Sequence, residues 1–126
     1  MLRQIARSPA GALAGLAGAS AVLLGAFGAH GLRNVLDPAH RELWRTAVEY
    51  HAWHALAWVL AVGSGRGRAG RCAVFAFAAG IVLFSGSLYA LALGAPRWTG
   101  IITPFGGAAF VAGWVALGLS LRQPAE

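Results

Sequence analysis

The sequence predicts an all-α fold, an integral membrane bundle of four transmembrane helices with both termini cytoplasmic, and three observations predict it. Hydrophobic residues make up 58% of the 126 residues and charged residues 11%, where a soluble domain carries roughly 25% charged residues. The charges are clustered, so that Ser8–Leu32, Tyr50–Gly65, Cys72–Pro96 and Trp98–Leu121 contain none, against the about 20 mostly apolar residues that cross a bilayer core as a helix. The arginines fall between these stretches, where topology signals sit. Disorder, a disulfide scaffold and a soluble nucleic-acid binder are excluded. Cys72 is the only cysteine, and the net charge of +6 forms no basic face with interleaved aromatics.

One domain, 1–126, is expected, with spans at about 9–31, 46–64, 73–94 and 104–121. The first is built from Ala, Gly and Leu. Gly28 and Gly31 read as its helix-terminating glycines. Small residues four apart, Gly11 with Gly15 and Ala21 with Gly25 and Ala29, allow a second backbone close approach. Arg3 and Arg7 ahead of an apolar run also suit a signal peptide, but a cleavable core is about 7–15 residues and this one continues to Leu32, so it reads as a retained anchor.

Asp37 followed by Pro38 reads as an N-cap and first helical residue. That helix runs without a breaker to about Val62, with Trp44 as an interfacial aromatic. Its membrane portion is the most polar span, carrying Glu49, Tyr50, His51 and His54. Gly63, Ser64, Gly65 and Gly67, with Arg66, Arg68 and Arg71, form a short basic turn. The third span contains Ser85, Ser87 and Tyr89, repeats small residues at Gly86, Ala90 and Gly94, and stops at Ala95 and Pro96. Thr103 and Pro104 repeat the cap-then-proline signature and open the fourth. Short connections make successive helices antiparallel neighbours. The termini and the basic turn then share a side with Arg3, Arg7, Arg66, Arg68, Arg71 and Arg122, against Arg33, Arg41, Arg45 and Arg97 opposite, which puts the termini in the cytoplasm.

Four phrases, Gly25–Leu32 (GAFGAHGL), Trp44–His54 (WRTAVEYHAWH), Phe84–Leu91 (FSGSLYAL) and Ile102–Gly113 (ITPFGGAAFVAG), resemble in order and spacing the membrane family catalogued as Domain of Unknown Function 423. The resemblance covers nearly the whole chain and implies a four-helix protein of the inner (plasma) membrane. It transfers no catalytic or binding residue, because no activity is established for that family.

In this topology the polar residues His30, Tyr50, His51, His54, Ser87, Tyr89 and Thr103 gather in the outer half of the bundle. At about 100° per residue, Tyr50, His51 and His54 share one helix face, and Glu49 points away from His51, toward Arg45 one turn nearer water. Two readings of the layer stand. It is a polar pocket for a small ligand, metal or proton, because ionisable groups inside membrane spans are costly. Alternatively it is a hydrogen-bonded network that fixes helix packing.

No metal site is expected. His51 and His54 have usable spacing and His30 offers a third nitrogen, but no cysteine or correctly facing carboxylate completes the set. Ser85 or Ser87 with His54 lacks a group to orient the base, so no catalytic residue is predicted. With no phosphate loop or dinucleotide motif, no cofactor is expected. The function indicated is a small structural or accessory membrane protein, with the lipid bilayer as its surroundings and small-residue faces for homo-oligomers or other membrane proteins. The alternative is a transporter or sensor using the polar layer.

Overall fold

A computed structural model describes residues 9–122 and 124. Arg3 and Arg7, which enter the topology argument, lie outside the described residues. The described chain is helical, with no strand. Its four helices are α1 (Pro9–His30), α2 (Pro38–Ser64), α3 (Gly67–Ala92) and α4 (Thr103–Leu121), the last preceded by a 3₁₀ turn at Arg97–Ile101. α1, α3 and α4 with its preceding turn are long and apolar enough to cross a membrane. α2 is longer, 27 residues, or about 40 Å at 1.5 Å per residue, but carries Arg41, Glu42, Arg45 and Glu49 in its first half.

The helix ends follow local chemistry. At the start of α2 the Asp37 carboxylate accepts the His40 amide at 2.8 Å, with Pro38 in the first turn. That backbone hydrogen bond holds the exposed carboxyl below the usual range, so the cap is strongest while Asp37 is ionised. α3 ends in a Schellman motif. Gly94 sits at φ +102°, and the amides of Gly94 and Ala95 donate to the carbonyls of Leu91 and Ala90. The expected stop is Ala95 and Pro96, with Gly94 as a packing residue, whereas Gly94 itself makes the turn.

Three other expected ends differ. Gly28 lies inside α1 and Gly31 follows it, and neither has the positive φ of a terminating glycine. Thr103 does not cap α4. It lies within the helix, and its hydroxyl is 2.5 Å from that of Ser87 on α3. α3 begins at Gly67, five residues before the charge-free stretch, because Gly67 takes φ +61° and starts the helix inside the arginine turn.

α2 is the centre of the bundle, with α1 on one side and α3 on the other, while α3 and α4 pair along their length and α1 scarcely meets α3. Bulky rings fill the spaces over glycines. Trp44 covers Gly28, Phe110 covers Gly80, Phe77 covers Gly113, and Phe84 lies against Gly106. Such ring-over-glycine contacts suit lipid, where helices associate through close packing rather than through escape from water. The expected small-residue stripes only partly coincide with these contacts. Gly25 approaches Val48, but nothing lies within 4 Å of where a Cβ would stand on Gly15, Gly86 or Gly94. The buried stripe of α1 is Ala14, Ala17 and Ala21, of which only Ala21 belongs to the expected repeat.

Trp44 is also corrected. It is not an interfacial aromatic but is 5% exposed, its indole donating at 2.9 Å to the Leu24 carbonyl of α1 and its ring lying 4.7 Å from that of Tyr89. The missing side chain at Gly28 opens the room for it.

Candidate functional site

The histidine layer is built on α2, whose buried residues include His51, His54, Ala47, Ala57 and Ala61. Alanines flank the two histidines, so the neighbouring helices come close enough to meet the imidazoles. Each ring then points to a different neighbour.

His51 bridges α1 and α3. Its Nε2 is 3.2 Å from the Ser20 hydroxyl and its Nδ1 2.8 Å from the Tyr89 hydroxyl. Ser20 donates its own proton to the Ala17 carbonyl at 2.9 Å, which leaves its oxygen to accept from His51. The network is therefore complete with a neutral imidazole carrying its proton on Nε2 and accepting from Tyr89 on Nδ1.

His54 faces α4 and holds the other tautomer. Its Nδ1 is 2.7 Å from the Tyr50 carbonyl, which can only accept, and its Nε2 receives the Trp114 indole N–H at 3.1 Å. The ring stacks on Phe110 at 3.6 Å between centroids and 12° between planes, with Phe77 at 5.9 Å. A second proton on His54 would set an N–H against the Trp114 N–H.

The remaining candidates fall into separate groups. Ser87 donates to the Phe84 carbonyl at 2.9 Å and meets Thr103. The Tyr50 ring packs 4.6 Å from Phe84 and stacks with His54, and its hydroxyl makes no hydrogen bond among the described residues. His30 is exposed at the end of α1 and joins none of these groups. Of the seven predicted residues, the fold thus pairs His51 with Tyr89, Tyr50 with His54, and Ser87 with Thr103. None of the seven lines either of two grooves on the surface, of about 720 and 260 Å³.

Sequence reasoning missed Ser20 and Trp114, the partners that complete the two imidazoles. Ser20 had a signal, because it and His30 are the only polar side chains between Pro9 and His30. Trp114 had none, since an indole in an apolar helix is at home facing lipid. Ser85 is no partner of His54. It is fully buried in a π-helical turn at Ile81–Ser85 and donates at 2.7 Å to the Ala47 carbonyl of α2, not to a histidine. Arg45 and Glu49 pair at 3.2 Å on the exposed side of α2, as their spacing predicts. Among the described residues, no group of three His, Cys, Asp or Glu side chains is placed to hold a metal ion.

A family model described as a protein of unknown function, DUF423, matches residues 24–107. The chain is 44% identical over 102 residues to the UPF0382 membrane protein YwdK of Bacillus subtilis, across 77% of this chain and 82% of the relative. It is 42% identical over 108 residues to a UPF0382 membrane protein of Haemophilus influenzae, across 83% and 86%. With the UPF0382 inner membrane protein YgdD of Escherichia coli it shares 40% identity over 111 residues, 82% of each chain. No solved structure matches the chain. The region matched by the family model holds both histidines, Tyr89, Ser87 and Thr103, while Ser20 and Trp114 lie outside it.

Proposed function

Because the chain belongs to this family, DUF423, and is a membrane protein as its relatives are named, we propose that it is a structural or accessory component of the inner membrane, its histidine layer tying four helices together. The observation that carries this reading is the state of the imidazoles. All four ring nitrogens of His51 and His54 have partners within the bundle. An imidazole that holds a ligand or metal needs a free ring nitrogen, and here each is taken by a partner. The apolar outer surface, with Leu16, Val22, Val111 and Val115 exposed, suits lipid or the helices of a partner or a second copy.

In this proposal all four helices of a single domain cross the bilayer, α2 through about residues 46–64, and both termini are cytoplasmic. Orientation rests on Arg3 and Arg7, because the remaining arginines divide four and four. Cys72 gives a direct check, being exposed next to Arg71 near the start of α3. A membrane-impermeant maleimide is expected to label it in inside-out vesicles and not from the periplasmic face. Labelling only from the periplasmic face would reverse the orientation.

The rival reading, transport, is tested by reconstitution. Liposomes containing the chain are expected to pass protons and divalent cations no faster than empty liposomes. A flux above that background that His51→Gln or His54→Gln abolishes would replace the structural reading with a transport one.

A further inference from the structure

The larger groove lies away from the histidines, at the end of the bundle that carries the arginine turn. It exists because α1 leans on α2 and scarcely touches α3, leaving a gap of about 720 Å³ floored by Trp58 and Ala61 and walled by Leu13, Val74 and Ala78. That volume falls within the roughly 300–1,000 Å³ of small-molecule sites. Leu13 and Phe75, both exposed, border it, so its rim is apolar. We propose that the groove holds one acyl chain of an anionic phospholipid, with the headgroup phosphate at Arg71.

Two further observations specify the occupant. The first is charge. Arg71 lines the groove, which has no acidic lining residue, and Arg66 and Arg68 stand on the adjoining turn. None of the three has an ion pair among the described residues. Arginine stems lie along apolar surface while the guanidinium reaches the headgroup layer, and clustered basic residues beside a span attract anionic lipid.

The second is Trp58, 9% exposed, whose indole N–H is buried with no acceptor among the described residues. Trp58 lies six residues before the end of α2, roughly 9 Å along the axis, while Arg71 lies four residues into α3, roughly 6 Å. Trp58 thus lies a little deeper than the charge, at the depth where an acyl chain begins beneath the phosphate, and it lines the groove while its N–H is closed off from it. Charge at one end and apolar walls beyond it match the headgroup and the acyl chain of a phospholipid.

The test uses the full chain in detergent, its tryptophan fluorescence, and lipids with brominated acyl chains, which quench at contact. Brominated phosphatidylglycerol is expected to quench a component that Trp58→Phe removes, half-saturating at a lipid-to-protein ratio at least fivefold below that of brominated phosphatidylcholine. Arg71→Gln should bring the two lipids within twofold of each other. Ala78→Phe, which fills the groove from its wall, should remove the Trp58 component for both lipids at unchanged helix content. Equal quenching by the two lipids, or quenching indifferent to Trp58→Phe, would overturn the proposal. A Trp58 shielded from both lipids in a dimer would assign the groove to a second copy, and quenching gained only on deleting residues 1–8 would assign it to that segment.

Discussion

Gly106→Ala is expected to destabilise the bundle by about 3 kcal/mol, the upper end of what overpacking costs. Gly106 is buried where α4 crosses the π-helical turn of α3, and an added Cβ would stand 2.6 Å from the Phe84 Cα, with the Phe84 amide nitrogen closer still. Those are backbone atoms, so no rotamer change relieves the clash. The two helices must move apart, loosening the Ser87 to Thr103 contact one turn away. Gly107→Ala is the control, since the nearest atom to its added Cβ is the tip of Phe84 at 3.8 Å, and alanine favours the helix by about 1 kcal/mol. Unfolding in mixed micelles, followed by loss of helical circular dichroism, separates the pair. Equal stabilities would mean that α3 and α4 do not approach as described.

The next largest effect is expected at His54. His54→Ala removes the ring stacked on Phe110, leaves the Trp114 indole without its acceptor, and opens a cavity beside Phe77, for a combined cost of about 3 kcal/mol. His54→Phe keeps an aromatic ring of similar shape and loses only the polar partners, so it should cost about 1 kcal/mol, near the measured worth of such bonds inside membranes. The same unfolding measurement ranks the two variants. The stacking also limits what an amide can replace, because glutamine restores an acceptor for Trp114 but offers no face to Phe110. If His54→Ala and His54→Phe destabilised equally, the ring stack would contribute nothing.

What was legible in the sequence was whatever water or lipid writes directly into composition. The charge-free stretches located four helices, Asp37 and Pro38 located the start of α2, and the angular separation of Glu49 from His51 separated the surface ion pair from the buried layer. The four phrases identified the family. What was not legible depends on shape at close range. Hydropathy is blind to which of many glycines lies under a ring, so Gly28 was read as a helix end and Trp44 as an interfacial residue, when each explains the position of the other. The π turn carries no proline to announce it. His30 resembled its fellow histidines in every respect except where α1 ends relative to α2.

The candidate layer was partly legible for the same reason. His51 and Tyr89 belonged together by depth alone, but their third member, Ser20, sits on the helix that had been read only for its glycines. Trp114 needed the placement of α4 against α2, which follows from the way α4 is seated on α3 through Gly80, Gly106 and Gly113.

The central claim is that the histidines are neutral, internally bonded packing residues, and ¹⁵N nuclear magnetic resonance of the imidazoles in lipid at pH 7 tests it most directly. Spectra of the unmodified chain, assigned through His51→Gln and His54→Gln, should show two neutral rings of opposite tautomer. His51 should carry its proton on Nε2 and His54 on Nδ1, and neither should move when zinc is added. A doubly protonated ring at either position, the same tautomer at both, or a zinc-induced shift would contradict the account and make the layer a site.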